Sequence, residues 1–578
     1  MVSVASSRLP LVAAGHPSRL APKPLGASDI RPMTGRTSRR GRGAEVGSGN
    51  PVAELIGLGI PEARHHLHLL GPTGTGKSTL LLRLILADAK AGRGVVVLDP
   101  HGDLALRVLE RLPASCRDRL VVIDPEETLA PASWNVLDPS LVGAELVSEH
   151  LVATLHRLYA PWWGPRLEDT LRAACLTLTH PATPVPNPAT LVPNEEPQLL
   201  HELGNSLANR LPNGETALGD QQAQAGAATL ADIPRLLTDR VFRDRITAGV
   251  RSVDPGGLGA FWAGYEALSP AQMANVGGPV LSKLRAITSR RFALDLLGVA
   301  PSTLDLAQIL DGGILIARLP KGILGEDTTR LIGSLLLTGV WQAATARTRQ
   351  PEPARLDASV VVDECHNFLH LPIGLDDALA EARSYRLSWT LAHQHLGQLP
   401  RPMAAAIEAN TRNKVYFTLS PADAHVLARH TMPHLDEDDL TGLDGYQIAC
   451  RLMAGSRPAR PFTLTTLPPP PEVPGALEAA RTAARAHGLT PQARAEHHAL
   501  RRRLTVPGAS PGGRFPSPSA AGWADSPSRS LSASLSASPS LEMESEPDTQ
   551  VSPSVQVSPN TRDGRGFATG YPTPGRRQ

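Results

Sequence analysis

Gly71-Pro72-Thr73-Gly74-Thr75-Gly76-Lys77-Ser78 fits the pattern G-x-x-x-x-G-K-[ST], and the fold is read outward from it. The apolar run 66–70 leads in, and the helix-prone run 79–90 leads out. This strand, loop and helix succession is the context a phosphate-binding loop needs. Glycines let successive backbone N–H groups converge on an anion, because a Cβ resists the required backbone angles. The start of the helix adds its positive dipole end. Lys77 supplies a mobile point charge for β- and γ-phosphates, Ser78 a hydroxyl for Mg²⁺, and Thr79 continues the loop into the helix. Lysine is scarce in this chain, with six among 57 basic residues, so a chance match to the pattern is improbable.

Around the loop the chain alternates between short β-branched runs and helical stretches. Strands are expected at 66–70, 94–99, 119–124, 313–319, 358–363, 387–392 and 413–418, followed by a β pair at 446–453 and 461–466. Near-continuous apolar runs of this length suit buried parallel strands, with helices on both faces. Strand signals vanish between 141 and 305, where helical periodicity dominates around a Pro/Asn/Gly/Gln-rich stretch at 181–226. The organisation expected is an α/β nucleotide-binding domain from 51–140 and 306–466, interrupted by a helical insertion at 141–305. Residues 1–50 read as a disordered arm. Residues 467–578 read as a Pro/Ser-rich, mostly disordered tail, with one Ala/Arg-rich helix possible over 475–504.

Composition bounds the rest. The 578 residues exceed one simple core, and 41% hydrophobic content supports a folded portion. A formal net charge of +2 gives no global basic signature for nucleic acid. Cys116, Cys175, Cys365 and Cys450 are scattered without metal spacing and read as buried side chains of a reducing compartment. No apolar run approaches bilayer length, so the chain reads as cytoplasmic.

A second motif separates the phosphate-loop classes. Val360-Val361-Val362-Asp363-Glu364 is a buried strand ending in two acids. Asp363 suits the Mg²⁺ shell, and Glu364 suits polarising a water for in-line attack, as in ATPases. The guanine-reading N-K-x-D motif of GTPases is absent. Strand candidates lying between the loop and the acid pair fit the ATPase class in which an extra strand separates the two motifs in the sheet. About thirty residues later, 387–391 runs into Ala392-His393-Gln394, which puts an amide at the ligand end of a parallel strand. Arg383 and Arg386 precede that strand, and either could be an arginine finger. Asp99, ending its strand, could support the nucleotide site, while Asp103 suits capping the next helix.

With these motifs in place the chain resembles the conjugative coupling proteins of type IV secretion and their relatives, the HerA- and FtsK-type DNA translocases. The resemblance covers roughly 60–466. It rests on Gly71 to Ser78, on Asp99-Pro100-His101-Gly102-Asp103, on Trp163-Gly164-Pro165-Arg166-Leu167-Glu168, on Leu319-Pro320-Lys321-Gly322, on Val362-Asp363-Glu364, on Glu381-Ala382-Arg383-Ser384-Tyr385-Arg386-Leu387 and on Leu391-Ala392-His393-Gln394. It implies a RecA-like ATPase domain with an inserted helical domain and ATP with Mg²⁺ at the site. It also implies a homohexamer threading DNA without sequence preference, and secretion or relaxosome partners. By motif matching, Arg383 takes the place of the trans-acting arginine and Gln394 that of the phosphate sensor. Arg386 departs from the pattern, since the family more often has Gly there. The family's membrane-bound members carry N-terminal transmembrane helices that this chain lacks. A different class, an ATP-gated protein that recruits a partner without moving DNA, fits the long C-terminal tail. A small-molecule kinase would need an acceptor site and a lid of clustered arginines, and no such lid is evident.

Overall fold

The computed structural model describes residues 23–28, 54–183, 227–300 and 302–503. Eleven strands form one sheet among them. In chain order they are β1 (Lys23–Ser28), β2 (Glu54–Leu58), β3 (Leu67–Leu70), β4 (Gly94–Asp99), β5 (Leu120–Ile123), β6 (Ile314–Arg318), β7 (Ala358–Val362), β8 (Leu387–His393), β9 (Asn413–Tyr416), β10 (Gln447–Arg451) and, after the two-stranded pair β11 (Met453–Ala454) and β12 (Arg457–Pro458), β13 (Phe462–Thr466). The spatial order is β2-β1-β13-β10-β9-β3-β8-β7-β4-β6-β5. From β9 to β5 every pairing is parallel, and from β10 to β2 every pairing is antiparallel.

The parallel strands are buried on both faces, which is why they read as unbroken apolar runs. Val96 and Leu98 of β4 join one hydrophobic cluster, and Val95 and Val97 join the other. The second cluster holds Leu80 to Leu82 and Leu84 to Leu86 of the helix Lys77–Lys90. The first holds the long helix Glu326–Ala346 together with residues of the helical region, including Trp262 and Leu284. Every described element between Ala144 and Leu297 is helical, and most of the stretch 181–226 lies outside the described residues.

The fold is a RecA-like P-loop NTPase arrangement: a mostly parallel sheet with helices on both faces. One strand, β8, separates the phosphate-loop strand β3 from the acid-bearing strand β7. It comes after both motifs in sequence and is none of the runs that lie between them.

Two stretches differ from expectation. Part of the segment read as a disordered arm is β1, paired with β2 and β13. Its anchor is ionic: Lys23 Nζ lies 2.7 Å from Asp88 on the phosphate-loop helix, and Arg93 holds the other oxygen of the same carboxylate at 2.7 Å. A fully buried carboxylate needs such partners, and a contact so remote in sequence leaves no local pattern. The stretch read as mostly disordered tail opens with two helices, Ala476–Arg485 and Pro491–Arg503, rather than one. Arg485 pairs with Glu127, and the Arg494 guanidinium donates to the carbonyls of Asp295 and Pro131. Residues 1–22, 29–50 and 504–578 lie outside the described residues.

The four cysteines are buried and form no disulfide. Among the described residues no helix is long and apolar enough to cross a membrane.

Candidate functional site

β3 delivers the chain into the loop at Gly71, and the helix leaves it at Lys77. Gly74 and Gly76 take φ of +86° and +116°, the left-handed region where a side chain is strained. Two glycines also have no room. A Cβ on Gly71 would lie 2.5 Å from the Phe417 Cβ, and one on Gly76 would lie 2.8 Å from the Tyr446 ring. Lys77, 6% exposed, folds its ammonium onto the Gly71 carbonyl at 2.8 Å and stands 3.8 Å from Glu364.

The acid pair arrives from β7. The Asp363 N–H donates to the Leu98 carbonyl, which sets Asp363 beside the end of β4 and hence beside Asp99. Asp363 is 5% exposed, and its carboxyl is pushed up to about 7, by burial first and then by the charges of Asp99 and Glu364. Like charges gathered without water are relieved by a cation. Asp363 with the Ser78 hydroxyl therefore fits Mg²⁺, which takes one or two carboxylates plus substrate phosphates. No cluster of three or more acidic, histidine or cysteine ligands occurs among the described residues.

Glu364 is the hub. Its backbone takes φ +46°, uncommon for a non-glycine residue, and the Asn367 amide donates to its carbonyl at 2.7 Å. Gln394 donates to Oε1 at 2.8 Å, and Gln398 to Oε2 at 3.2 Å. Gln398 also accepts the Gln394 backbone N–H at 2.8 Å, so the two glutamines act as one clamp. The sequence motifs pick out Gln394. Gln398, four residues on in the turn Leu396–Gln398, carries only the faint signal of that spacing. Beneath the clamp, His68 of β3 and His393 of β8 share a 2.7 Å hydrogen bond. Burial holds His393 down to about 3, so the pair is neutral and one ring donates to the other.

Asp99, expected to support the nucleotide site, stands beside Asp363 and also holds the chain that follows it. Its Oδ1 accepts the His101 N–H and its Oδ2 the Ala105 N–H, both at 2.9 Å. It caps the helix Asp103–Leu109, the task expected of Asp103, which is exposed in that helix's first turn. The Leu319 and Lys321 N–H groups donate to the carbonyls of Asp99 and Pro100. The Asp-Pro-His-Gly-Asp and Leu-Pro-Lys-Gly elements are thereby one joint at the ends of neighbouring strands. From the capped helix, Arg107 reaches the Thr79 hydroxyl at 3.3 Å, a contact without a sequence signal.

Arg383 is not at its own chain's loop. It ends the helix Leu375–Ala382, exposed, in the electrostatic neighbourhood of His65 and Arg412 at the opposite end of the strands. The seven residues of β8 put roughly 20 Å between it and Gln394. Arg386 keeps the backbone a glycine would supply, with φ +55°, and donates to the Arg355 carbonyl at 2.9 Å. Asn413 and Lys414 open β9, with Lys414 buried and donating to the Glu408 carbonyl at 2.8 Å.

Residues 49–159 match the family model described as helicase HerA, central domain. Among solved structures, the chain is similar to the plasmid coupling protein TrwB in complex with ADP and Mg²⁺, at 14% identity over 75% of this chain and 91% of that one, with a TM-score of 0.48. VirB4 of Thermoanaerobacter pseudethanolicus aligns at 14% identity over 74% and 96% of the two chains, TM-score 0.40. The genome packaging NTPase B204 from Sulfolobus turreted icosahedral virus 2 aligns at 12% identity over 29% and 72%, TM-score 0.21. No curated protein matches the sequence. Residues 49–159, which hold the phosphate loop, thus match the model of the HerA central domain, one of the relatives that the motifs resemble.

Proposed function

We propose that this chain hydrolyses ATP and uses the energy to move DNA through an oligomeric ring, in the manner of conjugative coupling proteins. The observation that carries the reading is the convergence on Glu364 of Lys77, Gln394 and Gln398. A carboxylate positioned this way is equipped to orient a water and take its proton. The amides of the loop and Lys77 neutralise phosphate charge. Asp363 and Ser78 hold Mg²⁺, which when bound supplies charge stabilisation to the phosphoryl oxygens. Arg383 of one subunit serves the site of its neighbour, a role supported by its exposure and its distance from its own loop. Gln394 exchanges its bond to Glu364 for one to the γ-phosphate, so loss of phosphate is felt by β8 and the turn after it.

The grip on DNA is mainly on phosphates and therefore nearly independent of base sequence. We place the chain in the cytoplasm as a homohexamer, reaching a secretion complex through partners. The test is ATPase rate with and without duplex and single-stranded DNA. Stimulation that weakens as salt rises supports the motor. Turnover indifferent to DNA, together with capture of a secretion partner, supports nucleotide-gated recruitment instead.

A further inference from the structure

Tyr446 is an aromatic residue spliced to the phosphate loop at a backbone cost. It takes φ +66°, where a non-glycine residue is strained. Three hydrogen bonds keep it there: its N–H donates to the Thr75 carbonyl at 2.9 Å, and its carbonyl accepts the Thr466 N–H at 2.8 Å and the Thr466 hydroxyl at 3.1 Å. The first of these shores up the phosphate loop, but any residue would supply it, and glycine would do so without strain. What tyrosine adds is the ring. One edge of it, Cδ1 and Cε1, lies against Gly76, where a Cβ would come within 2.8 and 3.3 Å of those atoms. The residue nonetheless stays 49% exposed, among the large hydrophobic side chains this fold leaves most open. Half-exposed, the residue borders the loop end from which Lys77, Ser78 and Thr79 extend.

A base joined through ribose to phosphates held there needs an apolar, flat neighbour, and stacking on an aromatic face is the interaction that supplies one. We propose that the Tyr446 ring is the platform on which the nucleobase stacks. This deepens the nucleotide-hydrolysis reading and rests on it. Because every base has a π-face, a site built on stacking discriminates weakly, so adenine and guanine nucleoside triphosphates bind within a few-fold of each other.

The experiment titrates the full-length chain, in Mg²⁺, with a non-hydrolysable ATP analogue, its GTP counterpart and inorganic tripolyphosphate, which lacks a base. Tyr446→Ala is expected to weaken both nucleoside analogues about 5- to 100-fold and leave tripolyphosphate unchanged, while Tyr446→Phe and Tyr446→Trp stay within a few-fold of wild type. Tyr446→Gly, which suits the positive φ, serves in place of the alanine variant if that one fails to fold. Equal weakening of tripolyphosphate and nucleotide makes the ring a prop of the loop and overturns the assignment, as does an alanine variant with wild-type nucleotide affinity. Wild-type protein that binds none of the three ligands overturns the nucleotide-hydrolysis reading itself, and this assignment with it.

Discussion

Replacing Glu364 by Gln alters charge with almost no change of shape, so its effects can be worked out from the contacts of one side chain. Glu364 accepts from Gln394 at 2.8 Å and from Gln398 at 3.2 Å, and it stands 3.8 Å from the Lys77 ammonium. Hydrogen bonds to a charged acceptor contribute about 1.5–3 kcal/mol each, and a glutamine amide must turn its NH₂ toward one of two existing NH₂ donors. One clamp bond is therefore lost. The gross attraction between Lys77 and Glu364 is about 4 kcal/mol at 3.8 Å with an effective dielectric of 20. Releasing Lys77 from it leaves the ammonium freer for phosphate. The variant is expected to bind ATP as well as wild type or up to about tenfold tighter, while turnover falls about 10²- to 10⁴-fold through loss of the base. Steady-state phosphate release and titration with a fluorescent ATP analogue read the two quantities separately. Turnover within tenfold of wild type removes Glu364 from the base role. Loss of nucleotide binding makes it a structural part of the loop instead, and either result refutes the assignment.

Three further outcomes are expected from the same geometry. Asp363→Asn should raise the stability of the nucleotide-free protein in a pH-dependent way, read by denaturant unfolding at several pH values. The folded carboxyl titrates near 7 against an ordinary 3.8, so its stabilising, protonated state is fully present below 3.8 and lost as pH rises through 7; the gap between variant and wild type should open from pH 4 and level off above 7, at no more than about 4 kcal/mol, and a gap independent of pH refutes it. Arg383→Ala should lower turnover about 10³-fold, and mixing it with Lys77→Ala subunits should recover a measurable part of the rate; no recovery counts against action on the neighbouring site. Asp99→Ala should cost about 1 kcal/mol as a lost helix cap and lower turnover less than tenfold, whereas a thousandfold loss would return Asp99 to the nucleotide itself.

Much of the site is written locally. The loop from Gly71 to Ser78 and the acids Asp363-Glu364 are legible because anion binding by backbone N–H groups and a strand ending in two carboxylates each need only a few consecutive residues. The parallel sheet is legible because Val95 to Leu98 and Val360 to Val362 are buried on both faces and so lack alternation. Other features depend on residues far apart in the chain. Lys23 meets Asp88 only once β1 has joined the sheet. Tyr446 meets Thr75 only because the chain enters β10 beside the phosphate loop. Asp99 and Asp103 are equally good capping residues by composition, and the path of the turn from β4 decided for Asp99. The sequence alone determined which chemistry the chain carries, since phosphate binding and strand burial are short-range properties of residue type. Only the tertiary structure decided which partners meet, because inserting β8 between β3 and β7 is what carries Gln394 and Gln398 to Glu364.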